Sequence, residues 1–135
     1  MRKSLPLLLL LVPALACAGI QPGNWEMTIT TQFAGAPNAM GPVKQTQCFS
    51  AKDARDPHKF LGSAATQGCQ FQNQRDTGSE LSFELKCSGQ IQMTGFGKTS
   101  YTSTSMQSDI ELHGAAAGRN FTTRSHVTGR RLGGC

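Results

Sequence analysis

The sequence predicts an all-β protein: a single-domain antiparallel meander of about seven strands that forms a strongly curved sheet or a small barrel. Apolar and polar residues alternate through much of the chain after residue 22, which is typical of strands with one buried face. Turn segments rich in glycine, proline and asparagine separate these strands at fairly regular spacing. Four cysteines outside the N-terminal region form an even set, as expected for two disulfides in an exported protein.

The N-terminal segment has the pattern of a secretory signal peptide. A basic start, a short apolar run and a small-residue stretch follow one another within residues 1–18. The apolar run is too short for a stable transmembrane span. Cleavage after Ala18 would release residues 19–135 as a secreted or periplasmic β domain. Cleavage before Cys17 would instead give a lipoprotein anchored through that cysteine, but Leu15 stands one place away from where a lipidation signal normally has its large aliphatic residue.

The charge of the chain gives little reason to expect a nucleic-acid partner. The full sequence carries 13 basic and 8 acidic residues, a formal net charge of +5. Without Arg2 and Lys3, 11 basic residues remain against 8 acidic ones, which leaves a mild charge of about +3.

The first strand is marked by alternate apolar residues, Trp25, Met27, Ile29 and Phe33. The only tryptophan, Trp25, is expected to anchor the core. A small-residue loop at 34–42 leads to a second strand at 43–49. Ser50 and Asp53 have the spacing of a capping arrangement, which predicts one short helix near residues 51–56.

Residues 69–87 predict a β-hairpin. A three-residue loop, Asp76 to Gly78 with Gly78 in the left-handed region, would keep the apolar residues of both strands on one face. Cys69 and Cys87 would share that face, near enough for a cross-strand disulfide.

Four cysteines allow three connectivities, and the hairpin favours Cys69–Cys87. The second bridge would then be Cys48–Cys135. This bridge would draw the last strand toward the first pair of strands and so favours closure or near-closure of the sheet.

The remaining strands follow the same alternation, with one interruption. Ile91 and Met93 share one parity and Phe96 has the other, so we expect a β-bulge at Gly95. Met106, Ile110 and Leu112 share one parity along the next strand. Phe121, Thr123, Ser125 and Val127 share one parity along the last strand.

No metal site or cofactor is predicted. The three histidines, His58, His113 and His126, lack the spacing of metal ligands. Methionines can bind copper in an oxidising compartment, but on alternating strands they are more often core residues. The four that could serve are Met27, Met40, Met93 and Met106.

No catalytic residue is predicted either, because the sequence has no nucleophile motif. Glu80 and Glu84 fall on the same polar face of a strand and are expected to be solvated. Arg130 and Arg131 form the one local cluster of charge and are expected to belong to a solvated tail.

Four blocks of the sequence follow one another along the chain: Pro22-Gly23-Asn24-Trp25-Glu26, Gln47 to Pro57, the pair Cys69 and Cys87, and Gly129 to Cys135. In this order they resemble the family of secreted bacterial proteins known as domain of unknown function family 3617. The resemblance implies an exported, disulfide-bonded β domain, and it carries no activity or catalytic residues that could be transferred. Asn24 and Gly134 depart from the family pattern.

From these observations we expect an exported, periplasmic, non-catalytic binding or accessory domain for an apolar ligand or an envelope protein. The ligand-binding residues are not identified by the sequence. An envelope enzyme acting on cell-wall or lipid material is the alternative, and a concave site that holds His126 or Arg124 together with Glu26 would favour it. A lipoprotein anchored through Cys17 is a further alternative.

Overall fold

The described residues form one seven-stranded antiparallel sheet with a short helical connection. The computed structural model describes residues 19–61, 68–89 and 91–135, with Pro57 and His58 described for their backbone alone. The predicted signal peptide and Cys17 therefore lie outside the described residues. The strands are β1 Gly23–Phe33, β2 Met40–Phe49, β3 Cys69–Asp76, β4 Glu80–Cys87, β5 Met93–Tyr101, β6 Ser105–Ala116 and β7 Arg119–Gly133; a 3-10 turn spans Asp53–Arg55 and helix α1 spans Pro57–Phe60.

The strand order is β2-β1-β7-β6-β5-β4-β3, so the meander β3 to β7 is extended by the N-terminal hairpin. The last strand lies beside the first pair, as predicted, because β7 pairs with β1 along almost its whole length. The sheet is open, with β2 and β3 as its edges. Pro42 on β2 has no N–H to offer a further strand, and Arg75 places a charge on β3; both are features of protected edges.

One face of the sheet, the inner face, carries the core. Trp25 is fully buried, and its Nε1 donates a hydrogen bond of 2.9 Å to the Gln21 carbonyl. Thr99 and Ser108 are also fully buried, and the 2.8 Å bond from Thr99 Oγ1 to Ser108 Oγ satisfies them. Besides the strands, the described residues that contribute to this core are Ile20 before β1 and Ala54, Phe60 and Leu61 from the connection between β2 and β3. The other buried apolar side chains include Met27, Phe49, Phe60, Leu61, Leu81, Phe83, Leu85, Ile110 and Val127.

The connection between β2 and β3 begins as the sequence predicted. Ser50 N–H donates to Asp53 Oδ2, and Asp53 N–H donates to Ser50 Oγ, both at 3.1 Å. Hydrogen bonds from the backbone N–H and the side chain of Ser50 lower the pKa of the Asp53 carboxyl. The 3-10 turn Asp53–Arg55 confirms the predicted short helix, and a second helical turn starts at Pro57, where proline is well tolerated at a first helical position.

Both predicted disulfides are present. Cys69–Cys87 joins directly opposed residues of β3 and β4, whereas Cys48–Cys135 connects the edge strand β2 to the end of the chain. Two such bridges indicate a protein that folds outside the reducing cytoplasm. Within residues 19–61, 68–89 and 91–135, no helix is long and apolar enough to span a membrane.

The hairpin keeps its apolar residues together by a different route from the predicted loop. The backbone bond from Thr77 N–H to Glu80 O leaves Gly78 and Ser79 between them, so the three-residue loop was wrong. The register instead shifts within β3, between Gln72 and Arg75. Asn73 adopts a φ of +50° there, a conformation that asparagine tolerates better than most residues. A bulge in the strand thus supplies the change of parity.

The only tyrosine of the chain is a probe of this packing. Tyr101 is buried and its hydroxyl donates to Asp76 Oδ1; burial and this bond raise the pKa of Tyr101 to about 12, from an ordinary 10.0. The folded state therefore favours the neutral phenol. The resulting stabilisation is complete below pH 10 and is lost as the pH rises toward 12.

We expect ultraviolet difference absorbance to show tyrosinate forming near pH 12 in the folded protein and near pH 10 in urea. Tyr101→Phe is the control, because it should remove the signal entirely. Ionisation near pH 10 while the circular dichroism spectrum is still native would contradict the predicted environment.

Candidate functional site

A row of directly paired residues crosses the outer, polar face of the sheet, and we call it the outer-face row. Each member lies opposite the next on the neighbouring strand, from β1 to β3. Strands are spaced ~4.8 Å apart, so the row extends roughly 24 Å. Every member except the phenylalanine ends in a planar amide, guanidinium or carboxylate. In order, the row is Gln32, Arg124, Glu111, Phe96, Glu84 and Gln72.

Phe96 lies at the middle of this row with 55% of its surface exposed. The predicted bulge at Gly95 was wrong: β5 pairs with both neighbours without a register shift, so Phe96 points away from the core. Packing explains the arrangement. A Cβ on Gly97 would lie 2.3 Å from Phe83 Cζ, and one on Gly95 would meet the Glu111 carbonyl oxygen at 1.9 Å. Positions 95 and 97 on the inner side of β5 therefore have no room for a side chain, and the aromatic residue between them faces outward.

On one side of Phe96 lies an open depression of about 430 Å³. Strands β1, β6 and β7 supply most of its lining, and Ala39 adds a contact from the β1–β2 loop. The volume falls in the ~300–1,000 Å³ range of small-molecule sites. The lining combines hydroxyl, amide, imidazole, carboxylate and guanidinium groups with the Phe96 ring; its polar side chains include Thr30, Gln32, Asp109, Glu111, Arg124 and His126.

Short polar contacts hold the side chains of this depression in place. Arg124 Nε donates to Glu111 Oε2 at 2.9 Å, and His113 Nε2 lies 2.8 Å from Glu111 Oε1. His126 Nδ1 lies 2.7 Å from Asp109 Oδ1. The hydrogen bond and positive charge of Arg124, together with His113, lower the pKa of the Glu111 carboxyl. Glu111 is therefore ionised at neutral pH, and it can accept hydrogen bonds but cannot act as a general acid.

A second depression, of about 340 Å³, lies on the other side of Phe96. Asn73 Nδ2 donates to Glu84 Oε2 at 2.6 Å and so fixes the carboxylate that belongs to the outer-face row. Phe96 lines both depressions, which makes its ring the ridge between them. The polar lining of the second depression is Gln72, Glu84, Lys86, Thr94 and His113.

The structure brings His126 and Arg124 into one depression, but not with Glu26. The Glu26 carboxylate instead accepts a 3.1 Å bond from Arg130 Nε, and this bond and the positive charge lower the pKa of Glu26. It lines a separate, smaller depression of about 120 Å³. The depression that contains His126 and Arg124 has the carboxylates of Asp109 and Glu111 in its lining instead of Glu26.

The other charged candidates have structural partners. Arg130 and Arg131 belong to β7, so the predicted solvated tail was wrong; Arg131 Nε donates to the Pro22 carbonyl at 2.9 Å. Glu80 forms an exposed ion pair of 3.2 Å with Lys98. It contacts neither depression, whereas Glu84 on the same face belongs to the second.

The described residues contain no group of three or more histidine, cysteine, aspartate or glutamate side chains that could hold a metal ion. Met27 and Met106 are buried in the core, whereas Met40 is exposed on edge strand β2. The side chain of His58 lies outside what the structure describes.

Sequence reasoning missed Phe96 and Asp109 as functional candidates. Strict alternation through β5 would have placed Phe96 on the polar face, but an apolar residue on the wrong parity was attributed to a bulge. No local signal could have paired Asp109 with His126, because their contact depends on the register of two long strands.

Comparison with known proteins identifies the chain at the level of a family. No curated protein and no solved structure matches it. The family model described as "Protein of unknown function (DUF3617)" matches residues 20–135, which include all seven strands and both disulfides. The chain therefore belongs to the DUF3617 family.

Proposed function

We propose that this protein is an exported, non-catalytic binding domain that takes its ligand on the outer face of the sheet. One observation carries the proposal: Phe96 stands exposed between two depressions, in a row of otherwise polar side chains that are fixed by ion pairs and hydrogen bonds. Binding sites are commonly concave, with an apolar surface and a few placed polar groups. The outer face combines these features.

The inner face is a weaker candidate for an apolar ligand. Trp25, Met27 and Val127 are fully buried, and Phe83 packs directly on Gly97. The described part of the inner face is thus largely occupied by the protein's own side chains. This packing favours a ligand on the outer face over one held inside the sheet.

The N-terminal sequence and the disulfides support the proposed location of the protein. A signal-peptide pattern at residues 1–18 and two bridges fit function in the periplasm or outside the cell. The mass of the purified exported protein distinguishes a soluble mature chain from a lipoprotein. A mature chain that starts at Gly19 supports soluble export, and a lipidated Cys17 supports an anchored lipoprotein.

The binding function can be tested by nuclear magnetic resonance. The protein, expressed from the full chain under oxidising conditions, is titrated with a library of neutral, acidic and basic fragments. We expect amide shifts to cluster on β5, β6 and β7 around the larger depression. Arg124→Ala should reduce these shifts, because it removes a donor from the depression and frees Glu111 to move.

Arg130→Ala is the matched control. Both arginines lie on β7, and both donate through Nε to a carboxylate, but Arg130 does not line either depression beside Phe96. The proposal fails if no fragment shifts the outer-face amides, or if both variants alter the shifts equally.

A second candidate, an envelope hydrolase, is favoured by one contact. The 2.7 Å approach of His126 Nδ1 to Asp109 Oδ1 resembles the pairing that orients a catalytic imidazole. The same titration distinguishes the two functions. Turnover of a bound ester or glycoside that is lost in His126→Ala, with binding retained, would replace the binding proposal with the enzyme.

A further inference from the structure

We propose that the outer-face row binds an uncharged oligosaccharide, which lies across the strands with one sugar ring stacked on Phe96. The inference rests on the proposed function, because it names the ligand class of the same face. Three properties of the row lead to it: an exposed aromatic ring flanked by carboxylates, nearly balanced charge, and depressions on both sides of the ring.

The position of Phe96 suits the two-sided chemistry of a sugar. A pyranose ring presents C–H groups on one face and hydroxyl groups around its rim. The face of an aromatic ring carries partial negative charge and attracts such C–H groups. Phe96 has Glu111 directly opposite on one neighbouring strand and Glu84 on the other. A sugar stacked on Phe96 would therefore find hydrogen-bond acceptors at both of its edges.

The polar groups of the row are arranged before a ligand arrives. Glu111 is held by Arg124 and His113, and Glu84 is held by Asn73. Each ionised carboxylate has more than one lone pair, so it can accept a sugar hydroxyl while it keeps its protein partner. Side chains that are already ordered lose less conformational entropy on binding.

The charge of the two depressions argues against an ionic ligand. Their lining contains three carboxylates, Asp109, Glu111 and Glu84, against the cations Arg124 and Lys86. Each depression therefore contains both signs of charge, with Arg124 beside Asp109 and Glu111 in the larger one and Lys86 beside Glu84 in the other. A strongly anionic or cationic partner would meet repulsion at some positions, whereas an uncharged chain of hydroxyls can use donors and acceptors alike.

The length of the site points to an oligosaccharide. The depressions of about 430 and 340 Å³ share Phe96, so a ligand that fills both must pass over the ring. A single sugar could cover the ring or fill one side only. A longer chain can contact Gln32 and Arg124 at one end and Gln72 at the other.

The test compares oligosaccharides of different length and charge by amide chemical-shift titration of the oxidised protein. The probes are chitotetraose and maltotetraose as neutral chains, glucose as a single sugar, a heparin tetrasaccharide as an anionic chain, and an uncharged tetrapeptide. We expect at least one neutral tetrasaccharide to shift amides in both depressions. Glucose should bind with an affinity at least about tenfold lower than that of the tetrasaccharide, because it leaves one depression empty.

Phe96→Ala should weaken tetrasaccharide binding about tenfold, corresponding to ~1.4 kcal/mol for loss of one stacked ring. Phe33→Ala is the matched control. Phe33 is also partly exposed, at 41%, but it shares the inner face with Ile29, and binding should be unchanged. Circular dichroism checks that both variants retain the native sheet.

Several outcomes would overturn the inference. If neither neutral tetrasaccharide shifts the row while fragments still do, the sugar is wrong and the binding function stands. If fragments fail as well, both fall. Tighter binding of heparin contradicts the role of balanced charge. Tighter binding of the tetrapeptide reassigns the row to a protein partner.

Discussion

Replacing Trp25 by alanine is expected to lower the free energy of unfolding by ~3–5 kcal/mol, a large part of the ~5–15 kcal/mol that stabilises a typical domain. The indole is fully buried, packs against Phe49 with ring centroids 6.3 Å apart, and donates to the Gln21 carbonyl. Alanine would leave a cavity and an unsatisfied carbonyl at the end of the sheet where β1 starts. Urea unfolding followed by far-ultraviolet circular dichroism measures the loss, since fluorescence would lose its only tryptophan.

Phe96→Ala provides the comparison, because it removes an aromatic side chain from the other face of the same sheet. Phe96 is 55% exposed, so its loss should change the free energy of unfolding by no more than ~0.5 kcal/mol. If Trp25→Ala does not fold, Trp25→Phe should still do so, with a loss of ~1–2 kcal/mol. Equal unfolding midpoints for Trp25→Ala and Phe96→Ala would contradict the assignment of core and surface.

Removing the Cys48–Cys135 disulfide is expected to cost more stability than removing Cys69–Cys87. The bridges close loops with sequence separations of 87 and 18. Loop-closure entropy then gives ~4–5 kcal/mol for the longer loop and ~3 kcal/mol for the shorter one. The strand pairing around each bridge also predicts a larger loss of stability for Cys48–Cys135. Cys69 and Cys87 already lie on hydrogen-bonded neighbouring strands, whereas Cys48 and Cys135 are held on either side of β1.

The comparison uses the double variants Cys48→Ser/Cys135→Ser and Cys69→Ser/Cys87→Ser, each with the other bridge intact. Urea midpoints should fall in the order wild type, Cys69 pair, Cys48 pair. A larger loss for the Cys69 pair would show that the hairpin, and not the anchoring of the edge strand, limits stability.

The strands and the bridges could be predicted because the signals for them are local. Alternation from Trp25 to Phe33 and from Leu81 to Cys87 identifies which residues share a face, whatever the neighbouring strands are. The same parity places Cys69 and Cys87 on one face, and an even count leaves Cys48 for Cys135. Capping of the first helical turn by Ser50 and Asp53 is equally local.

Local patterns failed where a residue's place depends on what packs against it. Either a loop with an odd number of residues or a bulge could keep the apolar residues of both hairpin strands on one face. The structure has the bulge, in which Asn73 adopts a positive φ. Phe96 looked like a core residue in need of a bulge at Gly95. The ring of Phe83 on the neighbouring strand fills the space at Gly97 and leaves Phe96 outside.

The sequence by itself determined an all-β chain with two specific disulfides and one buried face. Tertiary structure alone decided that the sheet stays open between β2 and β3, and that six residues from six strands form one row. The physical reason is that alternation specifies the face on which a side chain lies but not which residue of the neighbouring strand lies opposite it. Which residues lie opposite one another is set by the register of every intervening strand pair. The row around Phe96 exists because five successive strand pairs align its six residues.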